Sequence, residues 1–125
     1  MRLLLDTQIV LWQLQGSRTV RGSAREAVEA ATELAFSVVS FAEIGVKAAV
    51  DKLTVPHDLR DHVVRGGLNI LGLAPDHGLA VADLPMHHRD PFDRLLIAQA
   101  RCEGLTIVTA DRRFTDYDVP VVYAA

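Results

Sequence analysis

The chain has a single cysteine, Cys102, so it lacks the pair that an intrachain disulfide requires. A lone cysteine favours a reducing compartment, and we predict a cytoplasmic protein in which Cys102 is buried in a helix. Long apolar runs are also missing at the start, where only three leucines precede Asp6. That run is too short for the apolar part of a signal peptide or for a membrane span, so we expect no association with a membrane.

An excess of basic residues is lacking as well. The 13 lysine and arginine residues face 16 aspartate and glutamate residues, which gives a formal net charge of −3. This balance excludes a protein that holds nucleic acid through a broad basic surface. It does not exclude a nucleic-acid enzyme whose acids are gathered at one metal site. Because the 125 residues are half hydrophobic and contain no repeat or long linker, we predict a single domain over 1–125.

Short apolar runs alternate with helical patterns along the whole chain. Strands are predicted at 2–6, 34–40, 68–74, 105–111 and 119–124. Helices are predicted at 7–16, 23–33, 40–52, 56–67, 76–84 and 90–104. This alternation predicts an α/β fold with three α/β/α layers around a mainly parallel sheet of about four to five strands. Ligands of such sheets bind beyond the carboxyl ends of the strands.

Four acids, far apart in the sequence, come at or soon after predicted strands: Asp6, Glu43, Asp93 and Asp111. Each also has a structural explanation. Asp6 can cap the helix that follows it, and Asp111 can stabilise a turn. Glu43 can complete an S-x-x-E capping box with Ser40 or pair with a lysine one turn later.

The segment "DPFD" contains two acids within one helical turn. Asp90 stands at the predicted cap, Pro91 at the first helical position and Asp93 at the third. Two acids exceed what capping requires. We therefore predict that Asp90 caps the helix and that Asp93 is free to serve a functional site.

The joint pattern indicates a metal site at one edge of the sheet. Crowded carboxylates repel and raise one another's pKa, so a cluster without a cation would be destabilising. Mg²⁺ and Mn²⁺ prefer oxygen ligands. An acidic site of this kind suits metal-dependent cleavage of a phosphodiester.

Two other interpretations remain open from the residues alone. A receiver-like or phosphatase-like domain for phosphoryl transfer also keeps aspartates at strand ends. It would need a lysine near a late strand, whereas the two lysines, Lys47 and Lys52, lie in mid-chain. In a non-enzymatic binding module the acids would be helix caps and the apolar helices would engage a partner.

Four segments carry a family resemblance, in order along nearly the whole chain: "LLLDT", "SVVSFAEI", "HRDPFDRLLIAQA" and "LTIVTADRRF". They resemble the PIN domain and, more closely, the VapC toxins of bacterial type II toxin–antitoxin pairs. The resemblance implies an endoribonuclease toxin that depends on Mg²⁺ or Mn²⁺. It also implies neutralisation by a cognate VapB-like antitoxin and a homodimer or a larger toxin–antitoxin assembly.

The resemblance also implies roles for individual residues. Its four metal-site acids fall on Asp6, Glu43, Asp93 and Asp111. The supporting polar residues are Thr7, Ser40, Asp90 and Thr109. Whether Asp90 or Asp116 joins the metal site stays open.

Basic and apolar residues complete the hypothesis. Four arginines flank the later acids and are candidates for RNA phosphates: Arg89, Arg94, Arg112 and Arg113. Two apolar helices predict a surface for the antitoxin or a second subunit, with Leu11, Trp12, Val46 and Val50 as its candidates. His87 and His88 are adjacent and lack the spacing of a zinc helix, so we predict a structural role for both.

Overall fold

Strands and helices alternate along the computed structural model, which describes residues 1–16, 20 and 22–124. The strands are β1 (Arg2–Leu5), β2 (Glu33–Ser37), β3 (Asn69–Leu71), β4 (Thr106–Thr109) and β5 (Val121–Tyr123). The helices are α1 (Thr7–Gln15), α2 (Gly22–Ala30), α3 (Val38–Ala49), α4 (Leu59–Arg65), α5 (Pro75–Ala80) and α6 (Pro91–Glu103). Two 3-10 turns cover Val81–Asp83 and Arg112–Asp116.

The five strands form one sheet in the order β3-β2-β1-β4-β5, and each neighbouring pair is parallel. The predicted parallel sheet is therefore confirmed. The chain proceeds from β1 to β2 and β3 on one side and then returns to β4 on the other side of β1. The order reverses between β1 and β4, and a crevice opens beyond strands at such a switch point.

The strands are buried on both faces, as their continuous apolar sequences predict. Successive side chains of β1 point to opposite sides: Leu3 and Leu5 join one hydrophobic cluster, and Leu4 joins the other. The first cluster contains residues of α1, α2 and α4, and the second contains the buried face of α6. Helices therefore cover both faces, which confirms the predicted three-layer α/β/α fold.

The boundary between β2 and α3 differs from the prediction. Because the side chain of Ser37 accepts a hydrogen bond from the Val39 backbone N–H at 3.0 Å, α3 begins at Val38 rather than at Ser40. The predicted capping box of Ser40 and Glu43 is wrong. Both residues lie inside the helix and are free for other contacts.

The prediction for Cys102 is also wrong, since its side chain is exposed. The buried face of α6 ends at Ala100, and the last turn, 101–103, faces outward. Among the residues that the structure describes, no helix is both long and apolar enough to cross a membrane.

Candidate metal centre

The four predicted acids line one open cleft of about 580 Å³, and Asp90 lines it too. Asp6 directly follows β1, and Asp111 lies two residues beyond the end of β4. These neighbouring strands flank the switch point of the sheet. Glu43 reaches the cleft from α3, and Asp93 reaches it from the first turn of α6. The fold thus brings together carboxylates that are far apart in the sequence.

Asp6 is buried, with 6% of its surface exposed. Although it stands at the N-terminus of α1, its carboxylate does not cap that helix. The Thr109 hydroxyl instead donates to Asp6 Oδ2 at 2.8 Å. Burial raises the pKa of Asp6 to about 6, the Thr109 hydrogen bond opposes that rise, and the charge of Glu43 adds to it.

Glu43 is held by contacts on both oxygens and is 5% exposed. Thr7 Oγ1 donates to Glu43 Oε1 at 2.8 Å and lies 2.7 Å from Ser40 Oγ. Because a hydroxyl has one hydrogen, the Thr7 hydroxyl donates it to the Glu43 carboxylate and can accept a hydrogen bond from the Ser40 hydroxyl. Lys47 contacts Glu43 Oε2 at 2.6 Å, and this hydrogen bond raises the pKa of Lys47.

Asp90 and Asp93 divide their roles as predicted from "DPFD". Asp90 Oδ1 accepts from the backbone N–H groups of Phe92 and Asp93, so Asp90 caps α6. The Asp93 side chain does not cap the helix and lines the cleft instead. Burial raises the pKa of Asp93 to about 8, and the charges of Asp6, Asp90, Glu43 and Asp111 contribute to the rise.

Asp111 serves both the turn and the cleft. Its Oδ1 accepts from the Arg113 backbone N–H at 2.9 Å, which confirms the turn interpretation. The Arg113 guanidinium also donates to both carboxylate oxygens. Burial acts to raise the pKa of Asp111, but the hydrogen bonds from Arg113 outweigh it and the pKa is lowered.

These residues fit a hard divalent cation. The donors are carboxylate oxygens, which Mg²⁺ and Mn²⁺ prefer. Burial, with a smaller contribution from the neighbouring carboxylates, raises the pKa of Asp6 and of Asp93, so the charged forms of these two acids are disfavoured in the folded protein. A cation at this position would favour the charged forms. Ligand oxygens of Asp93 and Asp111 lie within 4.8 Å of each other, and Asp6 and Glu43 line the same cleft, so these four residues would hold a cation directly or through water.

Capping does not explain the cluster. Asp90 and Asp111 do cap, but Asp6 and Glu43 reach the same cleft without capping a helix. A receiver-like site is not favoured either. Lys47 comes from α3 and pairs with Glu43, so it is not a lysine of a late strand.

His88 is a member of the site that sequence reasoning missed. Its Nε2 lies 2.7 Å from Asp93 Oδ2 and 3.3 Å from Asp111 Oδ2. His88 lies in the loop before α6, is 4% exposed and has its ring turned toward the acids. No spacing in the sequence signals this contact, because it depends on the path of the loop before α6.

The four arginines separate into different environments. Arg112 and Arg113 line the cleft, and the Arg112 guanidinium lies 4.4 Å from the centre of the Tyr123 ring. Arg89 is exposed but outside the cleft. The prediction that Arg94 contacts RNA is wrong, because this side chain is only 8% exposed.

Arg94 holds the loop before α6 through its guanidinium. It donates to the backbone carbonyls of Val81, Leu84 and Pro85 at distances of 3.0, 3.1 and 2.8 Å and lies 3.3 Å from the Tyr117 hydroxyl. Five N–H donors in a planar fork suit a set of carbonyls that a single lysine could not reach together. Arg94 is therefore a structural anchor of the segment that contains His88.

Replacing Arg94 with leucine is expected to lower the free energy of unfolding by about 3 kcal/mol or more, because three loop carbonyls lose their charged donor. Urea denaturation of the metal-free protein measures this difference. Arg89→Leu is the matched control, since the exposed Arg89 should change the value by less than about 0.5 kcal/mol. Equal unfolding midpoints for the two variants would contradict the anchoring role.

The predicted apolar partner surface is only partly present. Leu11 is 5% exposed and belongs to the core, although it also lines the cleft. Trp12 is partly buried and lines the cleft. Val46 and Val50, on and just after α3, are 54% and 59% exposed. Asp116 is exposed at the end of its 3-10 turn and does not line the cleft.

Comparison with known proteins adds a family and a fold. The PIN domain family model matches residues 3–120. Ribonuclease VapC22 of Mycobacterium tuberculosis is 29% identical over an alignment that covers 94% of this chain and 92% of that protein. The crystal structure of VapBC2 from Rickettsia felis, bound to a promoter DNA fragment, aligns with a TM-score of 0.75 at 16% identity, over the full length of both chains. DNA-bound VapBC from Salmonella typhimurium aligns with a TM-score of 0.69 at 13% identity, over 98% of each chain.

Proposed function

Starting from the fact that the chain belongs to the PIN domain family, we propose that it is an endoribonuclease that hydrolyses RNA with the help of Mg²⁺ or Mn²⁺. The acidic cleft carries this proposal. Four carboxylates from separate elements share it, and two have pKa values raised to about 6 and about 8. The relative named Ribonuclease VapC22 supports the same activity.

Side chains of this protein orient the carboxylates of the site before any substrate binds. The hydroxyl of Thr109 orients the Asp6 carboxylate, and the hydroxyl of Thr7 orients the Glu43 carboxylate. Outer contacts of this kind tune a metal site. When bound, a divalent cation polarises the phosphoryl oxygen, activates water and stabilises the leaving oxygen.

Groups that suit RNA surround the acids. Arg112, Arg113 and Lys47 line the cleft and offer positive charge to phosphates beside the acids, and the last two are also paired with Asp111 and Glu43. The stacked Arg112 and Tyr123 side chains form a flat surface of the type on which unpaired bases pack. We propose that the substrate enters as single-stranded RNA, with its phosphate toward the acids.

The proposal includes a protein partner. Structures of the same fold include members of the VapBC toxin–antitoxin systems, which supports a VapB-like antitoxin here, and we propose a homodimer or a larger toxin–antitoxin assembly with it. The exposed Val46 and Val50, with Trp12 at the cleft, are the candidate contact residues. A toxin that cuts cellular RNA would act in the cytoplasm.

Chelation provides the test. Purified protein treated with EDTA is expected to stop cutting single-stranded RNA, and added Mn²⁺ or Mg²⁺ is expected to restore cleavage, because the acids need the cation to act. The measurement is the rate at which an end-labelled RNA disappears.

A variant prepared in parallel separates this activity from contaminating nucleases. Asp93→Asn removes one predicted ligand and should be inactive under every metal condition. Cleavage by the parent protein that is indifferent to EDTA would refute the proposal, as would equal cleavage by Asp93→Asn.

A further inference from the structure

The imidazole of His88 is enclosed beside two of the four acids. Its Nε2 is 2.7 Å from Asp93 Oδ2 and 3.3 Å from Asp111 Oδ2. Neither oxygen is well aligned for a hydrogen bond, so Nε2 is a buried polar atom without a satisfied partner. Hydrogen bonds in the active sites of apo enzymes are often poorly aligned and tighten when substrate binds.

The contact of the other ring nitrogen, Nδ1, determines which nitrogen of the neutral ring carries the proton. His88 Nδ1 lies 3.2 Å from the backbone nitrogen of Asp90, which can only donate. Nδ1 therefore presents its lone pair, and the proton of the neutral ring sits on Nε2. A nitrogen that carries a proton cannot ligate a cation, although His88, Asp93 and Asp111 stand close enough together for three ligands.

The backbone of His88 is fixed as well. Its N–H donates to the Tyr117 hydroxyl at 2.9 Å, and Arg94 contacts the same hydroxyl at 3.3 Å. Arg94 also holds the Pro85 carbonyl three residues earlier. The ring is thus held by contacts on both sides of the loop and has little freedom to turn away from the acids.

We infer that His88 is a positioning residue of the metal centre, which offers its Nε2–H to Asp93 and Asp111 and so orients two carboxylates that would help to hold a divalent cation. This inference rests on the proposed function, since it assigns a task within the same site. It reaches further because the proposed function assigns no task to His88.

Three variants and one spectrum test this inference on the full chain. His88→Leu removes the donor and is expected to weaken Mn²⁺ binding by about 10–100-fold, the usual cost of losing an outer contact to a ligand. Titration calorimetry with Mn²⁺ measures the affinity. His88→Gln keeps a terminal N–H donor and should recover most of the loss. His57→Leu is the matched control, because this ring is exposed and lies outside the cleft, and should bind as the parent does.

Electron spin echo measurements on the parent protein with Mn²⁺ separate positioning from ligation. We expect no signal from a directly bonded imidazole nitrogen, and such a signal would overturn the assignment. A folded His88→Leu with parental affinity, or a His88→Gln as weak as His88→Leu, would overturn it too. If His88→Leu does not fold, near-parental affinity of His88→Gln is the expected result, and a loss there decides against the inference.

The outcomes distinguish this inference from the proposed function. A parent protein that neither binds Mn²⁺ nor cuts RNA defeats both. A parent protein that binds and cuts, with an unchanged His88→Leu variant, defeats the positioning role alone.

Discussion

Replacing Asp6 with asparagine is expected to abolish RNA cleavage without destabilising the metal-free protein. The asparagine side chain has nearly the same shape and can still accept the hydrogen bond that Thr109 donates. The change removes a carboxylate that is 6% exposed, with a pKa raised to about 6, so repulsion and desolvation both diminish. Because loss of an outer contact already costs about 10–100-fold in metal sites, loss of a ligand should reduce the cleavage rate by more than about 100-fold.

The measurement pairs a cleavage rate with a melting temperature in EDTA. Asp116→Asn is the matched control, since it removes one exposed carboxylate from the turn after Asp111 and outside the cleft. This control should cut RNA at the parental rate. Parental cleavage by Asp6→Asn would show that the acids were assigned wrongly. A lower melting temperature in EDTA would show that Asp6 stabilises the fold.

The fold was predictable because its main signals are local. Apolar runs separated by helical patterns predicted a parallel sheet between helices, and the β1 leucines do divide between two cores. The boundaries of helices were less predictable where two residues of the same type could each serve as the N-cap. Both Ser37 and Ser40 could cap α3, and the choice depends on where β2 stops pairing with β3.

The acids of the site were also predictable, because parallel strands end at one edge and the switch point lies between β1 and β4. Contacts made by loops were not. The sequence places Arg94 one residue after Asp93, which suggested a phosphate contact, yet the helix turns Arg94 away from the cleft, toward the loop carbonyls. The ring of His88 is directed by that same loop, and no periodic pattern encodes its path.

Stability of the metal-free protein is expected to fall as the pH rises from about 5 to about 8. In the unfolded chain Asp6 and Asp93 have an ordinary pKa of 3.8, whereas in the folded protein burial raises these values to about 6 and about 8. Above pH 3.8 the folded protein therefore holds more protons than the unfolded chain, so each rise in pH favours unfolding. One pKa unit corresponds to about 1.4 kcal/mol, which makes the total loss on the order of several kcal/mol. The lowered pKa of Asp111 acts below 3.8 and does not oppose this trend.

Urea denaturation in EDTA at several pH values measures the trend, and Asp93→Asn identifies its source. This variant lacks the group with the highest raised pKa among the acids, so its stability should be nearly level between about pH 6 and pH 8. Mn²⁺ should reverse the slope of the parent protein, because the ion competes with the same protons and binds the folded state more tightly as they leave. A metal-free parent whose stability is constant or rises over this range would show that Asp6 and Asp93 do not have raised pKa values in the folded protein. The metal assignment would then rest only on the shared position of the four acids in the cleft.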